Sequence, residues 1–478
     1  MRKIFWAFVF MGLLASCANN KEIVISGTVQ NLDGQTLLYY TSVGGMFDAQ
    51  LGDTLQIQAD STFILRLPAS EYERVRFTLW GKGHLGTLIL KDGKVQVDLD
   101  GSADTGMNVS GVSESKLRVA RMLSQLEKDV SAQRRGNGDL WDTIKDTVPS
   151  SVAQKLRVTA EKMELQLEGV DKELVSKARQ DIRMQIFSVF LDNAFEAISD
   201  PSGFTTQEWI KEIDQMLDFV QIDHPDNSFS PAFLDVIMNL AGYRYYLKGV
   251  DLPEGIKEGP ELFFYDFEHH LAGKNQEAAM AQLILRDELE EQYDPSIITL
   301  TERFYELYPN SPWRSKVDEA LAKNKAINEI EIPDYIHFPD IEHVKTLKGV
   351  TDMYKGKVIF LDIWATWCGP CRASFAYVKP LQEYAKEHDV VLLYLSLDNP
   401  EDEELWRKMV AHHDLMGEHI RIQKAFETEI YTTFCHDDGL MHIPHYAILD
   451  RGGEIRYQSA SSPEEMDKLI TELEVAAK

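Results

Sequence analysis

The apolar run Val358-Ile-Phe-Leu-Asp-Ile363 leads directly into Trp364-Ala-Thr-Trp-Cys-Gly-Pro-Cys-Arg372, after which a helical pattern continues to about His388. A near-continuous apolar run of this length reads as a strand buried on both faces, so the chain must build a sheet covered on both sides around it. A second core strand follows at Val390–Leu397, then a helix announced by Asn399-Pro400 with an acidic first turn, Glu401 to Glu404. Tyr446–Asp450 reads as a further strand, Arg451-Gly-Gly453 as a turn, and Glu454–Tyr457 as its hairpin partner. The last helix opens with the capping-box pattern Ser462-Pro-Glu-Glu465. The order βαβαββα predicts one α/β unit over residues 329–478.

Within that unit the two cysteines define the chemistry. Two intervening residues let both sulfurs bond across one helical turn. Cys368, at the helix start, meets free backbone N–H groups and the positive end of the dipole, which favour its thiolate. Cys371 lies one turn inside and is less accessible, so it should resolve a mixed disulfide that Cys368 starts. Pro370 fits the first turn without losing a hydrogen bond. A bare Cys-x-x-Cys also matches half a zinc site, but four-ligand zinc needs a second ligand pair. Beyond the motif the sequence holds only Cys17 and Cys435. The expectation is therefore no metal and no cofactor beyond the two sulfurs.

With the Trp-Cys-Gly-Pro-Cys motif, the element order closely resembles the thioredoxin fold, and the motif most resembles the membrane-anchored TlpA and ResA type of thiol-disulfide oxidoreductase. The resemblance implies that Asp362, six residues before Cys368, helps remove a proton from the resolving cysteine. It implies that Ile443–Pro444 forms a cis-proline turn packed on the pair, exposing the backbone of Ile443 to an extended substrate. Trp367 would flank the site and Trp364 would frame its pocket. Simple packing, a salt bridge at Asp362 or a plain turn at Pro444 are the structural alternatives. Two features depart from the family pattern. A proline stands nine residues after the second cysteine, at Pro380, and the usual short loop before Ile443 is replaced by Phe434-Cys-His-Asp-Asp-Gly-Leu-Met-His442. Cys435 is either a free thiol or a third redox cysteine. His436, His442 and His445 with Asp437 and Asp438 suggest a surface loop rather than a metal site. No Pro-x-x-x-Thr-x-x-Cys arrangement surrounds Cys368, which disfavours a peroxidase.

The rest of the chain reads as a multidomain assembly. Arg2 and Lys3 precede the apolar run Ile4–Leu14, and Leu14-Ala-Ser-Cys17 follows. The run is short of the ~20 residues a spanning helix needs. It resembles the lipobox of bacterial lipoproteins, which implies a signal peptide at 1–16, lipidation of Cys17 and work outside the cytoplasm; an ordinary cleaved signal is the alternative. Residues 17–112 show seven short alternating runs, including Ile23–Val29 and Val95–Leu99, parted by turns such as Asp33-Gly34 and Asp92-Gly93. They predict an all-β domain, an antiparallel sandwich or barrel, loosely similar to the N-terminal domain of many thioredoxin-like lipoproteins of Bacteroidota-type bacteria. Residues 113–328 switch to helical periodicity, with breakers at Asp200-Pro201, His224-Pro225, Leu252-Pro253 and Pro309–Pro312 dividing an all-α domain of seven to nine helices.

Lys and Arg number 49 against 77 Asp and Glu, a net charge of −28, which argues against a nucleic-acid partner. The expected activity is reduction of disulfides in exported proteins. A membrane thiol reductant would supply electrons, and a lipid anchor would hold the protein in the cell envelope, facing the periplasm or the exterior. Gly369-Pro370 is the dipeptide of reducing thioredoxins, near about −270 mV, rather than of strong oxidants near about −120 mV. An oxidase or isomerase, or a binding module with a vestigial redox unit, remain the alternatives.

Overall fold

A computed structural model describes residues 22–478 apart from short stretches at 33, 44–45, 69–71, 81–82, 103–105, 145–147, 200–205, 342 and 436–440. The signal segment and Cys17 therefore lie outside the described residues. The chain divides into two compact units, Met1–Gln282 with Ser311–Trp313, and Leu283–Asn310 with Arg314–Lys478.

The first unit holds two four-stranded sheets whose inner faces share one apolar core. That closes the choice between sandwich and barrel in favour of a sandwich. It has eight strands among the described residues rather than seven. The third strand is Met46–Thr54, and Met107–Ser110 adds an edge strand too short and polar to stand out. Nor is pairing wholly antiparallel: Glu22–Gln30 runs parallel to Gly93–Asp100. At their crossing a Cβ on Gly27 would lie 1.7 Å from the Val97 carbonyl oxygen, so only glycine fits there.

Among the described residues between Glu114 and Asn328 there are ten α-helices, one more than the upper expectation. Those up to Gln282 cluster with the sandwich, whereas the pair Ser296–Leu307 and Arg314–Asn328 clusters with the C-terminal unit. The physical reason in the first unit is a buried charge. Arg74, on the sandwich strand Glu73–Leu79, has no exposed surface and pairs with Glu127 and Asp181, carried by the helices Glu114–Arg134 and Lys172–Ser199. The aromatic run at Tyr243 is a π-helical packing turn with Tyr243 and Tyr245 buried. His269 and His270 each contact the main-chain carbonyl four residues back, at 2.8 and 3.1 Å, not each other.

The second unit is built on a six-stranded sheet. Its spatial order is Ile455–Tyr457, His445–Leu449, Val358–Trp364, Val390–Ser396, Gly417–Arg421 and Ile336–His337. The central strand Val358–Trp364 is buried at every position, parallel to Val390–Ser396 and antiparallel to His445–Leu449. Val358, Phe360 and Trp364 join the core on the cysteine side, while Ile359, Leu361 and Ile363 face the opposite core. The strand Gly417–Arg421 and the helix Lys424–Phe434 were not foreseen; five residues with two buried, one of them His419, give no clean alternation.

The helix expected from the motif to His388 is broken. Gly369–Ser374 is followed by a 3-10 turn at Phe375–Tyr377, and a new helix runs Val378–His388. Pro380 explains the break: in a continuous helix its ring would strike the Ala376 carbonyl, whereas as the third residue of a new helix it forfeits nothing. The capping box at Ser462 is not made. Ser462 gives no side-chain cap, and a 3-10 turn, Pro463–Glu465, precedes the final helix Met466–Ala476.

Arg74→Ala leaves Asp181 buried without its cation and should cost about 3–5 kcal/mol. Urea unfolding followed by fluorescence should show an earlier transition for the first unit, with the redox unit's transition unmoved.

Candidate functional site

Cys368 stands at the N-cap of the six-residue motif helix, joined to Cys371 by a disulfide with Cα atoms 5.2 Å apart. Cys368 retains 5% exposure and Cys371 none, so only the first sulfur can be approached from outside. The Cys371 backbone N–H donates to Cys368 Sγ at 3.1 Å. In so short a helix the accumulated dipole is small, and this direct N–H contact is the main backbone support for a thiolate there.

The Ile443–Pro444 bond is cis, and the Ile443 carbonyl oxygen lies 3.7 Å from Cys368 Sγ. Ile443 packs partly buried against both faces' cores. Trp367, next to the first cysteine, is 55% exposed, while Trp364 is fully buried and meets Phe375 edge-on at 5.1 Å. Thus the structure assembles Trp367, Cys368, Cys371, Ile443 and Pro444 on one rim from segments some 75 residues apart.

Asp362 sits beneath that rim on the cysteine side of the central strand, paired in register with Tyr394 on one neighbour and Tyr446 on the other. Its Oδ1 has no hydrogen-bond partner. Burial alone pushes its carboxyl up to about 8. Among the described residues no salt bridge to it is made, and burial is the one cause of its displaced pKa. The same row continues to His419, whose ring stacks on Tyr394 at 4.7 Å.

The loop before the cysteines is held by residues that sequence reasoning did not single out. Asp398 accepts from the backbone N–H and the hydroxyl of Thr366, the latter at 2.6 Å, and from the Ser396 hydroxyl at 2.6 Å. The one sequence signal was an aspartate just beyond a core strand, and nothing local distinguished it from a solvated cap. Of the long loop, residues 436–440, including His436, Asp437 and Asp438, lie outside the described residues. Cys435 is exposed and not bonded to the pair. His445 is buried against the Gln458 carbonyl at 2.8 Å. Among the described residues no three His, Cys, Asp or Glu groups are placed to share a metal ion, and no helix is long and apolar enough to cross a membrane.

A strand-delivered cysteine pair at a helix start, faced by a cis-proline turn and underlain by a buried carboxyl, defines a thioredoxin-fold dithiol protein. Residues 331–472 match the Redoxin family model. The chain is 30% identical over 132 residues to the thioredoxin-like protein YneN of Bacillus subtilis, covering 27% of this chain and 72% of that one. It is 30% identical over 102 residues to thiol-disulfide oxidoreductase ResA of Bacillus thuringiensis subsp. konkukian, covering 21% of this chain and 54% of the relative. The chain thus spans about half the length of that relative. Among solved structures, the thioredoxin domain of a thiol-disulfide oxidoreductase from Bacteroides vulgatus is 21% identical with a TM-score of 0.23, over 26% of this chain and 84% of that one. The chain belongs to the thioredoxin family and is similar within it to proteins of the TlpA/ResA type.

Because the folded-state pKa of Asp362 is raised, the protonated carboxyl is favoured in the native state. Its contribution to stability is full below about pH 4 and lost as pH rises to about 8. Asp362→Asn should therefore raise the melting temperature of the redox unit more at pH 8 than at pH 5. Equal shifts at both values, read by calorimetry, would show that the carboxyl is not buried uncharged.

Proposed function

We propose that this chain is a lipid-anchored thiol-disulfide oxidoreductase that reduces disulfides of exported proteins. The observation that carries this reading is the asymmetric pair: Cys368 slightly exposed beside the Ile443 carbonyl, Cys371 fully buried behind it. The Cys368 thiolate attacks one sulfur of a substrate disulfide, forming a mixed disulfide and releasing the other substrate sulfur as a thiolate. The Cys371 thiol gives its proton to the Asp362 carboxylate and attacks Cys368 Sγ. That step closes the Cys368–Cys371 disulfide and releases the second substrate thiolate, so two electrons pass to the substrate. With its pKa near 8, Asp362 can both take that proton and return it at working pH. The main chain of Ile443 and the face of Trp367 would hold the substrate strand during exchange.

A membrane thiol reductant would return the two electrons. Anchoring rests on Arg2, Lys3 and the Leu14-Ala-Ser-Cys17 pattern, with residues 1–16 removed and Cys17 lipidated; two or more acyl chains hold a protein body on a membrane stably. The dipeptide Gly369-Pro370 favours the reducing direction. The β-rich segment shows no clustered nucleophile and base among its described residues, which favours a docking or spacer role for it over catalysis.

Cys371→Ser should trap exported proteins as mixed disulfides on Cys368, visible as adducts that collapse on adding dithiothreitol. Asp362→Asn should slow turnover roughly 10²-fold at neutral pH. A glutathione titration of the wild-type pair giving a potential near −120 mV rather than near about −270 mV would reverse the direction to oxidase or isomerase. Non-covalent binding of partners with no trapped adduct would favour the binding-module alternative.

A further inference from the structure

Arg372, the residue after the resolving cysteine, is nearly buried and its guanidinium is fully engaged. Its Nη1 donates to the Thr366 carbonyl in the loop that carries Cys368. Its Nε donates to Glu291 Oε2 at 2.6 Å, and its Nη2 to the Glu290 carbonyl at 2.6 Å. Glu290 and Glu291 lie some 80 residues upstream, yet within the same compact unit.

The turn that presents them is built for this contact. Glu291 and Tyr293 both adopt left-handed backbone conformations, φ 51° and 50°, which side chains other than glycine disfavour. Tyr293 is buried in the core that also contains Cys368 and Cys371, anchoring the turn beside the motif. Asp287 and Glu288 lie at the same turn but are taken up elsewhere, Asp287 by the Asp294 N–H and Asn324 and Glu288 by Lys323. His412 packs on Tyr293 at 5.9 Å and His413 on Phe375 at 5.1 Å, and burial lowers both, His413 to about 4, so they are neutral at working pH. The Glu290 carboxylate turns away to Arg286 at 2.5 Å. What remains is one guanidinium, with a side chain 8% exposed, and one carboxylate, 41% exposed.

We propose that Glu291 is a positioning residue that, by partly neutralising Arg372, sets how strongly the Cys368 thiolate is stabilised and hence the potential of the disulfide pair. The inference rests on the dithiol reading above. Arg372 reaches the Cys368 loop through Thr366, so its positive charge favours the thiolate, which exists only in the reduced protein. The Glu291 carboxylate opposes that field and keeps the pair reducing. A helical segment outside the thioredoxin fold thereby tunes its redox chemistry.

The test uses the full chain carrying Cys17→Ser and Cys435→Ser, so that only the pair responds. The Cys368 thiolate is titrated by absorbance at 240 nm, and the pair is equilibrated with glutathione. Glu291→Gln should lower the thiol pKa and shift the equilibrium roughly three- to tenfold toward the dithiol, about 15–30 mV more positive. Arg372→Gln should move both readouts the other way, Arg372→Lys should recover most of the pKa, and the Glu291→Gln/Arg372→Gln double variant should fall between the singles. A merely structural clamp would move both single variants in one direction or leave the potential unchanged, and either result overturns the inference. If Arg372→Gln does not fold, the sign of the Glu291→Gln shift decides alone. A background protein that does not exchange with glutathione at all would instead refute the dithiol reading.

Discussion

The second unit depends on the pairing of Val358–Trp364 between two neighbouring strands. A strand buried on both faces cannot leave its amide groups unpaired, so both edges must be hydrogen-bonded, and every side chain must meet a packed layer. That single requirement aims the strand's end, and therefore Cys368, at one fixed place. The loop Ala365–Trp367 has little freedom left: Thr366 is held by Asp398 on one side and by Arg372 on the other. Cys368 is then the only sulfur of the pair that faces outward.

Inside that frame, the costly element is Asp362. A carboxyl on a fully buried strand, between two tyrosines and with no cation, is unfavourable when charged. Burial favours the uncharged form, so the group titrates near neutrality instead of standing as a fixed charge. Stability and chemistry are in tension at this one side chain, as is usual where a pKa is displaced by burial alone. The first unit shows the opposite solution: Arg74 is equally buried but keeps its charge, because Glu127 and Asp181 accompany it.

The electrostatics around the cysteines are assembled from three distant parts of the chain. The backbone N–H of Cys371 is local, the Ile443 carbonyl comes from across the sheet, and the Glu290–Glu291 turn comes from the helical segment before the redox fold. The motif brings the two sulfurs together, and these three segments bring the polar groups that surround them. This explains why dipeptide identity alone is only one determinant of potential.

Much of the redox unit was legible in the sequence. The apolar run ending in Trp-Cys-Gly-Pro-Cys, the strand at Val390, and the Ile443-Pro444 strand entry each carry local signals, because burial on both faces and fixed φ at proline are written in residue type. The break at Phe375–Tyr377 is half-legible: Pro380 stands in the sequence, but the helical pattern runs on through it and does not show where the new helix starts. The strand Gly417–Arg421 was invisible, since His419 is apolar in behaviour only because Tyr394 stacks on it. The parallel pairing of the first strand with Gly93–Asp100 depends on contacts about 70 residues apart, which no local pattern encodes. By itself the sequence determined the cysteine pair and the thioredoxin-like fold that carries it. The tertiary structure alone decided what surrounds those atoms, which carboxylates reach Arg74 and Arg372, and that Asp362 has no cation. Ion pairs and desolvation are properties of proximity, and proximity between distant residues exists only once the chain has folded.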